Sequence, residues 1–443
     1  MKTFAIYTLG CKTNQLESAK ITDDMLRYGW RQVNFKDSAD IYIINSCTVT
    51  SKSDNEAVYI TRKAKRVNPN AKVIMTGCYA QVSNDELTAL TEIDLIAGNI
   101  EKFSLAEMIS SGKYMFNSEN KPENKIFVSN IMQAKEFVFG EVDSLPGKTR
   151  ANIKIQDGCN NRCAYCIIPF ARGKSRSNSL NNIIGQIQKL TQNGYKEVIL
   201  TGIHLGQWGL DFSPKMNLPQ LLSEFEKIPS LVRYRLSSLD PNEINSDLIK
   251  QVGDSSKFCP HFHISIQSMD NEILRSMRRR YSVEDVFKTV NAIKAAFPDA
   301  FIGCDIITGF PGESDSHFDS IYNNLKNLPL SAIHVFPYSR RKGTLAYDMP
   351  EQIPEHTKKE RSRALNLLGK EKLAEFKQSQ LNKVFNVIFE KSRDKQTGLL
   401  KGLTENYIQV LLDGDDSLMG EMVKVRLDMI DGTSVRGVIL LMN

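Results

Sequence analysis

Cys159, Cys163 and Cys166 constrain this chain more than any other feature. They follow the apolar run Ile153-Lys-Ile155 in the pattern C-x3-C-x2-C, inside Gln156-Asp-Gly-Cys159-Asn-Asn-Arg-Cys163-Ala-Tyr-Cys166. Sulfurs so close in sequence can turn toward one point where a strand ends in a tight loop. Three thiolates are one ligand short of a closed tetrahedral zinc site or a fully ligated iron–sulfur cluster. A zinc loop would need a fourth Cys or His at ribbon-like spacing, and none stands nearby. A loop of three thiols is also too polar and reactive for core filler. The residues therefore predict a cluster with one iron left open for chemistry.

A second trio is spread over residues 1–112. Phe4–Cys11, Ile41–Cys47 and Lys72–Cys78 read as apolar strands with their terminal turns, separated by helical stretches such as Ser18–Tyr28 and Asp54–Val67. Near-continuous apolar strands alternating with helices predict an open parallel sheet. Cys11, Cys47 and Cys78 each stand just past a strand's carboxyl end, the edge where open α/β sheets bind ligands. Each cysteine alone would read as a small buried residue. The repetition points to one shared metal site. With six of eight cysteines in triples, disulfide pairing is not expected. The run from Phe4 to Leu9 is too short for a signal h-region, and no stretch is long and apolar enough to span a bilayer. The expected compartment is the reducing cytoplasm.

These residues carry a resemblance. The string Asp157-Gly-Cys159 through Cys166-Ile-Ile-Pro-Phe-Ala-Arg172-Gly173 resembles the radical S-adenosylmethionine (SAM) superfamily, and within it the methylthiotransferases. The resemblance implies a [4Fe–4S] cluster on Cys159, Cys163 and Cys166 whose open iron takes SAM. Thr8-Leu-Gly-Cys11-Lys12, Asn45-Ser-Cys47 and Thr76-Gly-Cys78 resemble the family's N-terminal motifs, which implies a second, auxiliary [4Fe–4S] cluster on Cys11, Cys47 and Cys78.

After a polar linker expected over 113–148, residues 149–350 alternate again. Six strand candidates with intervening helices suit a partial (β/α)6 barrel, whose site lies at the strands' carboxyl ends. Tyr165, Thr201, Gly202, Ser238 and Gln267 are the expected SAM-binding residues. The superfamily's Gly-Gly-Glu motif is replaced by Thr201-Gly-Ile203. His204 reads as structural or SAM-adjacent, and His261 and His263 as strand residues differing in burial. Cys259 and Cys304 read as core thiols. A connecting helix is expected over 351–382. Residues 383–443 read as a small all-β barrel of four short strands, resembling the RNA-binding TRAM domain although acids and bases there are about equal in number.

The formal charge is +6 over 443 residues, with basic bunches at Arg62–Arg66, Arg278–Arg280, Arg340–Lys342 and Lys358–Arg363. That balance permits a nucleic-acid partner without demanding one. The whole chain resembles the subgroup that methylthiolates C2 of N6-threonylcarbamoyladenosine at position 37 of tRNA. The sister subgroup acting on isopentenyladenosine, and a ribosomal-protein aspartate methylthiotransferase, are the alternatives. Exchanging an unactivated aromatic C–H for C–S offers no acidic proton, so it requires a radical. The threonylcarbamoyl carboxylate would suit a bidentate arginine, and Arg340 or Arg341 is the expected contact. The expected partners are the tRNA anticodon stem-loop and an electron donor such as flavodoxin or ferredoxin. The expected state is a monomer without a membrane.

Overall fold

The computed structural model describes residues 2–111, 126–138 and 147–440. The N-terminal unit is a six-stranded, wholly parallel sheet in the order β2-β1-β3-β4-β5-β6. Its strands are β1 (Thr3–Thr8), β2 (Arg31–Gln32), β3 (Ile41–Ser46), β4 (Lys72–Gly77), β5 (Leu95–Ala97) and β6 (Ile126–Phe127). The three long strands are those the hydrophobic runs predict. β3 is buried throughout, as a central parallel strand covered on both faces must be. β2, β5 and β6 add short strands too brief to show a period. β6 also corrects the expected linker, since its described part closes the sheet's far edge and only the remainder lies outside the described residues.

The central unit begins at β7 (Ala151–Lys154). A small hairpin of β8 (Gln156–Asp157) and β9 (Arg176–Ser177) frames the cysteine loop. The barrel continues with β10 (Glu197–Thr201), β11 (Arg233–Leu236), β12 (His261–Gln267), β13 (Phe301–Thr308) and β14 (Ala332–Pro337). These strands form two parallel three-stranded halves, β7-β10-β11 and β12-β13-β14, which meet through the Leu239–Ile264 bridge. Strands follow chain order, as right-handed βαβ crossovers dictate. The expected partial six-stranded barrel is the one observed. Its main core gathers Ile153, Leu200, Trp208, Phe225, Tyr234 and Ile302, all at most 3% exposed. Each such burial contributes about 1.5–3 kcal/mol.

The helix Glu355–Ser379 then leads to a closed five-stranded barrel in the order β15-β16-β17-β19-β18. Its strands are β15 (Val384–Phe389), β16 (Leu400–Thr404), β17 (Gln409–Leu412), β18 (Met422–Asp431) and β19 (Ser434–Ile439). The expectation of four strands is corrected by β16. Its alternation is broken by Gly402, where a Cβ would lie 2.4 Å from Val387 Cγ1. The small barrel plugs the amino-terminal end of the central one: Arg235 donates to the Glu405 carbonyl at 2.9 Å, and the Tyr407 ring lies 5.0 Å from the Arg235 guanidinium. Among the described residues no helix is long and apolar enough to cross a membrane.

Candidate functional site

Each cysteine of the N-terminal trio sits where its sheet strand stops. Two of them follow a glycine held at φ +94°, Gly10 before Cys11 and Gly77 before Cys78. Such a backbone strains any L side chain. Space excludes one as well. A Cβ on Gly10 would stand 2.7 Å from Cys47 Cβ, and one on Gly77 would stand 2.4 Å from the Ser46 carbonyl oxygen. The glycines therefore let the β1, β3 and β4 loops close on one another. Cys47 and Cys78 are buried and Cys11 is exposed toward the barrel. Burial first, then the neighbouring charge of Cys78, pushes the Cys47 thiol up to about 11.

The second trio leaves β8 and runs into the helix Ile168–Arg172. Cys159 N–H donates to the Gly173 carbonyl at 3.0 Å, and Cys166 N–H to the Cys163 carbonyl at 3.1 Å, which folds the loop back on itself. Cys159 Sγ lies 3.4 Å from His204 Nδ1, and Arg279 Nη1 donates to Cys163 Sγ at 3.3 Å. Burial, then Cys163, raises the Cys166 thiol to about 12. Cys47 and Cys166 are thus favoured as thiols, and a cationic centre is what would hold them as thiolates.

The spacing of the sulfurs tests which centre fits. Tetrahedral zinc, with Zn–S near 2.3 Å, would bring sulfurs to about 3.8 Å from one another. Among the described residues neither trio brings its three sulfurs within 4.8 Å of one another. All eight cysteines are free thiols. Three thiols in each trio, one ligand short of a closed site, are the donor set of a cluster that keeps one iron open.

The three barrel-trio cysteines, and Cys11 of the N-terminal trio, open onto one cavity of about 640 Å³ inside the barrel. Cys11, Cys159, Cys163 and Cys166 line it, as do all five of the expected SAM-binding residues, Tyr165, Thr201, Gly202, Ser238 and Gln267. Gln267 itself stands at φ +66°, a left-handed turn that ends β12 beside the cavity. Several lining residues have no sequence signal. Asp305 on β13 sits between His263 Nε2 at 2.9 Å and His334 Nδ1 at 3.5 Å. Asp240 pairs with Arg279, and Lys12 and Tyr407 reach in from the two flanking units. His204 lies in the same wall, with Nε2 2.6 Å from Glu243. Burial opposes its charge, yet the hydrogen bonds to Cys159 and Glu243 hold it up at about 10.

A fully buried ionic cluster joins the two trios. Glu17 takes Lys102 Nζ at 2.5 Å, Lys154 Nζ at 2.8 Å and Arg172 Nη1 at 2.5 Å. Asp157 takes Lys154 at 2.8 Å, and Arg172 Nε donates to Cys78 Sγ at 3.3 Å. Glu17 belongs to the N-terminal sheet's first helix and Arg172 to the helix after the barrel trio, so the cluster spans the domain boundary.

The expected substrate arginines lie elsewhere. The Arg341 guanidinium is spent on the N-terminal unit, donating to Thr48 Oγ1, to Ser51 Oγ at 3.2 Å and to Asp54. Arg340 points outward, stacked 4.3 Å over the Tyr347 ring with Nε donating to the Tyr347 carbonyl. Neither lines the cavity. The carboxylate clamp expected on Arg341 is therefore corrected to an interdomain clasp. Arg341→Met should lower stability by about 1–3 kcal/mol, because it leaves the half-buried Asp54 carboxylate without its cation. Urea unfolding and amide exchange over 48–54 would show this, whereas a clamp role would raise KM and leave both unchanged.

The comparisons with known proteins match this geometry. A family model described as the Radical SAM superfamily matches residues 153–325, and one described as Uncharacterized protein family UPF0004 matches residues 3–98. The chain is 37% identical to the threonylcarbamoyladenosine tRNA methylthiotransferase MtaB of Bacillus subtilis (strain 168), over 96% of this chain and 94% of that one. It is 40% identical to the protein of the same description from Aquifex aeolicus (strain VF5), over 95% of this chain and 99% of the relative. Among solved structures it resembles the radical SAM methyltransferase TsrM from Kitasatospora setae. The TM-score there is 0.58 at 16% identity, covering 78% of this chain and 77% of the other, a likeness of fold.

Proposed function

The chain belongs to the radical SAM methylthiotransferases, in the threonylcarbamoyladenosine tRNA methylthiotransferase subgroup, and from that premise we propose what its residues do. It converts N6-threonylcarbamoyladenosine at position 37 of tRNA to the 2-methylthio derivative. The observation carrying this reading is that the barrel trio, one ligand short of a cluster, shares a single cavity with Cys11 of the second trio. Cys159, Cys163 and Cys166 would hold one [4Fe–4S] cluster, and Cys11, Cys47 and Cys78 the other. When bound, these clusters and SAM supply one-electron cleavage, hydrogen-atom removal at C2 and a methylated sulfur for transfer.

The chain's own residues bind, orient and exclude. Arg279 and His204 each set a donor or a charge against a barrel-trio sulfur, and Asp240 and Glu243 fix their orientation. Tyr165, Thr201, Gly202, Ser238 and Gln267 form the wall against which SAM would lie. Tyr407 floors the cavity, so water and small reductants have one fewer route to a reactive centre. Electrons would come from a flavodoxin- or ferredoxin-type donor to a monomer in the cytoplasm.

The test is anaerobic incubation of the reconstituted enzyme with SAM, a reductant and tRNA bearing threonylcarbamoyladenosine. Mass spectrometry of digested nucleosides should show the 2-methylthio product, with 5′-deoxyadenosine alongside. Product on isopentenyladenosine in its place, or none on either tRNA, would overturn the reading.

A further inference from the structure

The cavity carries one charge that nothing on its walls compensates. Its lining cations are Lys12, Arg279 and His204; Arg279 is paired with Asp240 and His204 with Glu243. Its lining carboxylates are also satisfied, Asp240 by Arg279 and Asp305 by His263 and His334. Lys12, the residue after Cys11, makes neither an ion pair nor a hydrogen bond among the described residues. Its side chain lines the cavity, near the charges of Arg150, Arg235 and Glu197, and Glu197 is already paired with Arg233 and Arg235. Lys12 is exposed and held by no carboxylate, so an anion that enters the cavity meets a free ammonium there.

We propose that Lys12 is the cation that receives the carboxylate of the threonylcarbamoyl group when the modified base enters the cavity. This rests on the substrate reading above and names the recognition element within it. Ammonium and carboxylate form a charge-assisted hydrogen bond, roughly twice as strong as a neutral one. The same contact discriminates. A base whose N6 substituent lacks a carboxylate would seal Lys12 in unpaired, a repulsive element as well as a lost attraction. Cys11 and Lys12 are consecutive, so docking the carboxylate on Lys12 fixes the base relative to the auxiliary trio. SAM also bears a carboxylate and is the other possible source of the anion.

The experiment uses reconstituted enzyme holding both clusters and two anticodon stem-loops. One bears threonylcarbamoyladenosine, and the other the same group as its carboxylate methyl ester. Fluorescence anisotropy gives the dissociation constant of each, and equilibrium dialysis gives that of SAM. The parent should bind the acid about tenfold or more tighter than the ester, the worth of one hydrogen bond to a charged group. Lys12→Met should bring that ratio to about one, and Lys12→Arg should keep part of it. Iron content identifies any variant that has lost a cluster, and Lys12→Gln then replaces Lys12→Met. An unchanged ratio in the neutral variant overturns the assignment. So does weakened SAM binding with the ratio intact, which would give Lys12 to SAM. If the parent fails to methylthiolate threonylcarbamoyl tRNA, the substrate reading itself has failed. If the parent succeeds and the ratio persists in the variant, only Lys12 is wrong.

Discussion

Cys78→Ala should separate the two halves of the reaction. The variant should bind about half the iron of the parent, still form 5′-deoxyadenosine from SAM, and yield methylthio product at less than about a thousandth of the parent rate. Cys78 is buried on β4's terminal turn, and its sulfur accepts a hydrogen bond from Arg172 Nε. Removing the thiolate deletes one of three ligands from the N-terminal trio and touches none of the barrel trio's. Cys163→Ala is the complement. It removes the sulfur that Arg279 contacts, and should abolish both 5′-deoxyadenosine and product. Iron analysis and chromatography of the two nucleosides check the pair. A Cys78 variant with full iron, or a Cys163 variant that still cleaves SAM, would break the assignment of the trios.

Glu17→Gln should produce the largest loss of stability, about 3–5 kcal/mol at neutral pH. Glu17 is fully buried and holds Lys102, Lys154 and Arg172, leaving Asp157 as the remaining carboxylate in the cluster. Neutralising it strands cations in a dry boundary between the two units. Burial opposes the charge on Glu17, but Arg172, then Lys102 and Lys154, holds its carboxyl well below the ordinary 4.5. Asp157 is likewise brought to about 2, against burial, by Lys154 and Arg172. Groups with depressed folded values stabilise fully above their unfolded values, and the contribution is lost as pH falls through the folded ones. The contribution of these two carboxylates should therefore be fully present above about pH 5 and fall between about pH 4.5 and 2. Urea midpoints measured across that range should show the acid limb in the parent and a shallower one in Glu17→Gln. An equally steep limb in the variant would remove Glu17 from the account.

Long apolar strands ending in a functional residue were plain in the chain. The ends of β1, β3 and β4 follow from hydrophobic runs broken at Ser46 and at the glycines Gly10 and Gly77. The barrel strands follow from the same alternation, and their carboxyl ends place Thr201, Ser238 and Gln267 at the cavity. What escaped is short or compensated. β2 and β6, at two residues each, carry no periodicity, and β16 hides behind the glycine its packing requires. Asp305 and His334 look like ordinary polar residues in apolar strands until neighbouring strands set them against His263.

The arginine clasp shows the division most clearly. Composition and spacing mark Arg341 as a cation past β14, and the substrate's carboxylate makes a matching anion attractive. The fold brings Thr48, Ser51 and Asp54 to it first, and turns Lys12 into the cavity without a partner. The sequence by itself determined the strands, the two cysteine trios and the chemistry that thiolates one ligand short can support, because those depend on residue type and near spacing. Tertiary structure alone decided which cation is already neutralised and which is left to meet a ligand. Ion pairing acts over a few ångströms in space, between residues that lie hundreds of positions apart along the chain.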